Sequence, residues 1–253
     1  MPKLNEIDLE QVTLTGSHYG YSATPVDALT ATEYTLAVMI ADGSGSTKPY
    51  RAAMEQCIRN AVEGCQKHAR GDNMMLRLVE FDDRLEERHG FKMVKQCQLN
   101  DYRNCLKRNG GTALYDSSYN AIESLLDYAK RLDDQDYAVN AIAAVITDGA
   151  DTSSKFKPDA IRKLVEKAMQ AEYLESLRLI LVGINPGKDA SLSDYLTRYA
   201  RDAGFDQLID LGDVSPSRFA NLGGFLSQSI SSQSSSLGTG GPSKPINTAQ
   251  LTF

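Results

Sequence analysis

The sequence predicts an α/β chain with a doubly wound, mostly parallel central sheet of about six strands, helices on both faces and one antiparallel edge strand. Two observations carry this expectation. Largely apolar stretches of strand length recur at residues 35–41, 74–81, 141–146 and 177–184, as strands buried on both faces require. Between them lie longer segments whose apolar residues return at helical spacing, and strands alternating with helices imply a parallel sheet covered on both sides.

The elements follow in order. Residues 1–32 are rich in Thr, Ser and Gly and lack periodicity, so they read as an irregular arm with one short strand near Val12-Thr13-Leu14. The first strand spans about 34–41. A helix over about 50–69 follows, with Met54, Ile58, Ala61, Val62, Cys65 and Ala69 on one face. Residues 74–81 make the second strand and 91–97 the third, an edge strand joined to it through the turn at Asp82-Asp83. A short helix at 101–106 leads to Gly110-Gly111-Thr112. Leu114, Ile122, Leu125, Leu126, Ala129 and Leu132 then mark a helix that ends in Asp133-Asp134-Gln135-Asp136. The fourth strand lies near 138–147. Pro158 opens a helix to about 173, since proline is tolerated in a first helical turn. A fifth strand at 177–184, a helix at 191–203, a short sixth strand at 207–210 and a last helix from 216 to about 231 complete the domain. Beyond it, residues 232–253 are dominated by Ser and Gly and read as a flexible tail; Ile246 and Leu251-Thr252-Phe253 are its only candidates for docking.

Bulk properties narrow the class. A chain of 253 residues, 42% hydrophobic and 24% charged, suits one sizeable domain. Its formal net charge of -6 argues against tracking nucleic-acid phosphates, which needs a basic field. Cys57, Cys65, Cys97 and Cys105 show no C-x-x-C spacing, and Cys57 and Cys65 would sit two turns apart on one helix, too far to bond; reduced structural thiols are expected. No signal-peptide pattern opens the chain and no apolar stretch is long enough to span a bilayer, so a cytoplasmic protein with no membrane contact is the expectation.

Chemistry concentrates where strands end. Asp42, Ser44 and Ser46 follow the first apolar run as three oxygen-bearing side chains at alternate positions, and oxygen-only ligands suit a hard divalent cation such as Mg2+, with Mn2+ also acceptable. Thr112 follows two glycines beside a helix start, and Asp148 closes the fourth strand before Gly149. Taken singly, each piece also reads as turn or helix-cap chemistry. Fold logic favours a common site, because in doubly wound sheets sites gather at the carboxyl ends of strands where strand order reverses.

Together these pieces resemble the von Willebrand factor A (VWA) family, also called the I domain in integrins. Its metal-ion-dependent adhesion site combines D-x-S-x-S after the first strand, a later loop Thr and an Asp after the fourth strand. Asp42, Ser44, Ser46, Thr112 and Asp148 match all five positions, and the resemblance covers about residues 33–232. It implies a Rossmann-like domain over 33–231 in which Ser44 and Ser46 bind the ion directly, Asp42 and Asp148 bind it directly or through water, and Thr112 alternates between the two. A vacant coordination position would then accept an Asp or Glu from a partner protein. Cytoplasmic relatives work beside AAA+ ATPases, kinases or stress-response proteins, which implies a partner class.

A metal-dependent protein-binding module without catalysis is therefore the leading expectation. An alternative is a Mg2+-dependent phosphohydrolase of the haloacid dehalogenase type, with Asp42 as nucleophile and the Asp148 to Asp151 spacing as metal-binding acids. That chemistry needs an acid two residues after the nucleophile, and position 44 is Ser. A structural subunit of a larger assembly is compatible with the leading reading. Arg70-Gly71-Asp72 falls where a helix should give way to a strand and reads as a connector. Gly43 to Lys48 lacks the G-x-x-x-x-G-K-[ST] frame of a phosphate loop. His18, His68 and His89 stand outside any motif, and the serine-rich tail is a candidate phosphorylation segment on composition alone.

Overall fold

Strand β3, Glu33–Asp42, runs through the middle of the sheet with both faces covered, and its alternating side chains explain why. Leu36, Val38 and Ile40 enter one hydrophobic core while Ala37, Met39 and Ala41 enter the other. Strand β6, Ala138–Thr147, divides in the same way, with Ala141, Ala143 and Val145 on one side and Ile142, Ala144 and Ile146 on the other. Such period-two partition of an all-apolar run is what a sheet covered on both faces demands.

The computed structural model describes residues 9–184, 189–212, 214–239 and 245–246. The remaining strands are β1 (Glu10–Val12), β2 (Tyr21–Ala23), β4 (Met74–Phe81), β5 (Leu85–Met93), β7 (Ser176–Gly183) and β8 (Gln207–Asp210), giving a sheet of order β1-β2-β5-β4-β3-β6-β7-β8. β4, β3, β6, β7 and β8 are mutually parallel; β5 is antiparallel to β4, and β1 to β2. Helices α2 (Leu114–Asp133), α3 (Pro158–Gln170) and α4 (Ala190–Ala203) pack on one face. Helices α1 (Arg51–Lys67) and α5 (Pro216–Ser236) cover the other. Among the described residues no helix is long and apolar enough to cross a membrane.

The doubly wound α/β class is as expected, with eight strands in place of about six. The hairpin turn at Asp82-Asp83 is present, but the third strand is β5, Leu85–Met93, and not 91–97. Its first half, Leu-Glu-Glu-Arg-His, carries no apolar run because its charges are used in place: Glu87 pairs with the fully buried Arg77, and Arg88 with Glu80 and Glu86. Nor is β5 an edge, since β2 lies beside it and β1 beyond.

The arm thus contributes strands of three residues each, too short to register as a pattern. Its backbone is held by side chains of the domain: Glu87 accepts from Ser22 N at 3.0 Å, and Tyr128 Oη donates to Thr24 O at 2.7 Å. At the other end α5 continues to Ser236, with Gln233 and Ser234 buried. Asn140 Nδ2 donates to Gln233 O at 2.9 Å and Gln233 Nε2 to Ala141 O at 2.8 Å, so polar residues extend the helix through specific bonds to β6. Ile246 docks near β8, its carbonyl accepting from Gln207 Nε2 at 3.0 Å. Leu251-Thr252-Phe253 lie outside the described residues. The expected helix at 101–106 is a single tight turn, Leu99–Tyr102, and Arg70-Gly71-Asp72 joins α1 to β4 with Arg70 paired to Glu33.

Candidate metal centre

The sheet order reverses between β3 and β6, each the start of a half-sheet built outward in the opposite direction. Adjacent parallel strands whose connections leave on opposite sides open a crevice at their carboxyl ends. Asp42 is the last residue of β3, and Asp148 follows the last residue of β6.

Three loops meet there. The β3–α1 loop carries Ser44 and Ser46. Asp42 Oδ1 accepts from Ser44 N at 2.8 Å, folding the loop back over the strand end. Ser44 Oγ lies 3.1 Å from Ser46 Oγ, and Ser46 Oγ donates to Asp148 Oδ1 at 2.8 Å. Four of the five expected residues are therefore joined in one chain of hydrogen bonds: Asp42, Ser44, Ser46, Asp148. The β5–α2 loop carries Thr112, which is 6% exposed. Its hydroxyl faces the turn after Asp148, 4.0 Å from where a Cβ on Gly149 would sit. Thr112 is also tied to the β6–α3 loop, accepting at its carbonyl from Thr152 N at 2.8 Å and donating from its N to Thr152 Oγ1 at 2.9 Å.

Several residues that build this geometry carried no sequence signal. Thr147 Oγ1 donates to Asp42 Oδ2 at 2.6 Å, so both carboxylate oxygens of Asp42 are engaged and oriented. Arg51, at the start of α1, donates to Gly43 O at 3.0 Å and also to Arg108 O, clamping the first loop to the second. The second loop is further fixed by acids of the β4 end: Glu80 Oε1 accepts from Arg108 N at 2.7 Å, and Asp82 Oδ2 from Gly110 N at 2.9 Å. Asp116 and Asp151 hold backbone rather than projecting into the crevice. Asp116 Oδ1 accepts from Lys155 N and Phe156 N at 2.9 and 2.8 Å, and Asp151 accepts from Tyr115 N and Ser154 N at 3.3 and 3.2 Å.

The two carboxylates at the centre are both raised in pKa. Burial pushes Asp42 up to about 6 against the opposing pull of bonds from Thr147 and Ser44, and the Asp148 charge adds to the rise. Asp148 is likewise raised by desolvation, with the Ser46 bond opposing. Two carboxylates brought together where β3 and β6 end repel, and a divalent ion between them would relieve that cost. No three His, Cys, Asp or Glu side chains gather as a metal-ligand group among the described residues. A cation here would rest on two carboxylates and three hydroxyls, an all-oxygen set that fits Mg2+.

The sequence matches no protein-family profile and no curated protein. Its fold aligns with solved structures. The PilB minor pilin from Streptococcus sanguinis aligns at a TM-score of 0.56 and 11% identity, over 81% of this chain and 63% of that one. The pilus adhesin SpaC from Lactobacillus rhamnosus GG aligns at 0.57 and 11% identity, over 80% of this chain and 31% of that one. This chain therefore spans less than two thirds of either structure's length. A von Willebrand factor type A structure from Catenulispora acidiphila aligns at 0.49 and 18% identity, over 83% of this chain and 44% of that one. The pilin and adhesin likenesses show the α/β fold; what the chain does is argued from the crevice itself.

Proposed function

We propose that the chain is a divalent-metal-dependent protein-binding module of the VWA type. Asp42, Ser44, Ser46, Thr112 and Asp148 would hold Mg2+ or Mn2+, and an Asp or Glu of a partner protein would complete the coordination. The observation that carries this reading is the bonded chain from Asp42 through Ser44 and Ser46 to Asp148, with residues from two distant strand ends within 3.1 Å of their neighbours. Three of the five donors are neutral hydroxyls, so the two carboxylates only balance the ion's charge and leave it receptive to one more anion. The remaining residues act as supports: Thr147 orients Asp42, Arg51 joins the first two loops, and Thr152 anchors Thr112.

The structures that share the fold are by name a minor pilin and a pilus adhesin, which supports an interaction role. The phosphohydrolase alternative needs an acid at position 44, where Ser44 instead bonds to Ser46. Cytoplasmic placement is supported by four free, buried thiols, since reducing compartments preserve them. AAA+ ATPases, kinases and stress-response proteins are the partner classes to which the resemblance points.

Isothermal titration of the metal-free chain with Mg2+ and Mn2+ tests the site directly. Saturable uptake at one site, lost in Asp42→Ala and Asp148→Ala, is expected. Failure of the folded wild type to take up either ion would overturn the reading. Partner capture with Mg2+ and with chelator then tests metal dependence of binding.

A further inference from the structure

The three loops that gather the oxygen donors also carry cations the site does not use. Lys48 lies two residues after Ser46, Lys107 precedes Gly110, and Lys155 and Lys157 follow Asp148; all four are exposed. The ion pairs among the described residues involve none of them. The loops are in contact, with Gly45 N donating to Gly110 O at 3.2 Å and Thr152 N to Thr112 O at 2.8 Å. The lysines therefore sit on three loops, bonded in series, that border the crevice.

Acids on and beside these loops are mostly turned inward; Asp101 of the β5–α2 loop is exposed, but the exposed Arg103 two residues on offsets its charge. Asp82 is paired with Arg108 and bonded to Gly110 N, while Asp116 and Asp151 accept from backbone amides. Asp83 is exposed, but Arg84 beside it is exposed as well and offsets its charge. A chain of net charge -6 thus presents an unpaired basic border around the one crevice proposed to bind an anion.

We infer that this border selects an acidic segment: a partner peptide whose metal-binding carboxylate is flanked by further Asp or Glu residues. The inference rests on the metal reading above. Exposed charges act through screened attraction, so the border adds encounter rate and salt-sensitive selectivity, while the ion anchors the central carboxylate.

Three labelled peptides test it by fluorescence anisotropy on the full chain with Mg2+: a Gly-Ser peptide with one central Asp, the same peptide with Glu on both sides of the Asp, and an Asn control. The Glu-flanked peptide is expected to bind about tenfold more tightly at low salt. That advantage should collapse at high salt and in Lys48→Gln/Lys107→Gln/Lys155→Gln/Lys157→Gln, a variant that should keep its Mg2+ uptake and its affinity for the single-Asp peptide. Equal binding of both acidic peptides by a wild type that takes up Mg2+ overturns the inference and leaves the metal site standing. So does a flanked-peptide affinity unchanged by chelator, or tighter binding of a single-stranded oligonucleotide. A wild type without Mg2+ uptake overturns the metal reading instead.

Discussion

Thr147 Oγ1 donates to Asp42 Oδ2 at 2.6 Å, joining the last residues of β3 and β6 across 105 positions of sequence. The bond fixes the carboxylate plane at the point where the sheet changes direction, and the Thr147 hydroxyl is itself held by accepting from Gly149 N at 3.2 Å. Residues that orient a metal ligand through a hydrogen bond influence affinity nearly as strongly as some ligands do. Thr147→Val, close in shape, is expected to weaken Mg2+ binding by roughly tenfold or more, with Thr147→Ser largely restoring it. Titration calorimetry on the two variants decides whether Thr147 acts in this way.

Asp42 sets a proton competition at the site. Its folded-state value is raised from 3.8 to about 6, so the folded state binds the proton more tightly than the unfolded chain. The stability associated with protonated Asp42 is present below 3.8 and is lost as pH rises through about 6. At neutral pH the metal-free protein therefore bears a buried charge costing on the order of 2–3 kcal/mol. Asp42→Asn removes that charge, and Thr147 Oγ1 can accept from the new amide while donating to Gly149 O. In chelator at pH 7, the variant is expected to gain on the order of 1–3 kcal/mol of stability in urea melts, while losing the stabilisation that Mg2+ confers on the wild type. For the wild type, Mg2+ affinity should fall as pH drops below about 6, because the ion then competes with a proton.

His89 has the opposite sign. Nδ1 lies 2.9 Å from Gly90 O, which can only accept, so Nδ1 carries the proton and Nε2 accepts from Tyr102 Oη at 2.8 Å. Desolvation holds the imidazole down to about 4 from its usual 6.5, assisted by the nearby charges of Lys92 and Arg77. Its contribution to stability is full above 6.5 and is lost as pH falls through about 4. The Asp42 and His89 windows overlap with opposing slopes, so the wild-type profile between them is flattened. In chelator, Asp42→Asn should expose the His89 slope, with stability falling on acidification, and His89→Gln should remove it. Urea melts across this pH range read both effects.

Arg77 is fully buried on β4, and Glu87 on β5 is its counter-charge at 2.5 Å. Its other nitrogens donate to Ser124 Oγ at 2.8 Å and Gly20 O at 3.3 Å, while Glu87 also accepts from Ser22 N. One guanidinium thus binds the arm, the hairpin and α2 together. Arg77→Met leaves Glu87 without its partner and is expected to cost about 3–5 kcal/mol in denaturant melts. The double variant Arg77→Met/Glu87→Leu should recover much of that loss, because no uncompensated charge remains.

The alternation of buried runs and amphipathic segments made the parallel strands β3, β4, β6 and β7 legible, since each is largely buried and leaves an apolar signature. In the arm the short strand near Val12 is present as β1 while β2 left no signal, and the bounds of β5 were not legible because it begins with charges whose partners lie largely on other strands. The candidate ligands stood out because Asp42, Ser44 and Ser46 alternate directly after a strand. Their supports did not. Thr147 looks like ordinary strand sequence, and Arg51, Glu80 and Asp82 serve the site through backbone contacts that only the folded loops create. Short-range spacing can expose a set of donors, whereas the bonds that hold their loops in place depend on tertiary approach.

Gly43 and Gly45 show how tightly that approach is specified. They flank Ser44 in sequence, but their surroundings differ. A Cβ on Gly43 would overlap the Glu80 carboxylate, whereas the nearest atom to a Cβ on Gly45 is Asn109 Oδ1 at 3.8 Å. Glu80 cannot readily withdraw: it is fully buried, paired with Arg88, and accepts from Arg108 N at 2.7 Å. Gly43→Ala is therefore expected to cost about 1–3 kcal/mol of stability and to weaken Mg2+ binding by displacing either the Ser44 loop or the loop that carries Thr112. Gly45→Ala should be close to neutral in both measurements. Equal tolerance of the two substitutions would mean that the close approach of Gly43 to Glu80 does not hold the first loop over the strand end.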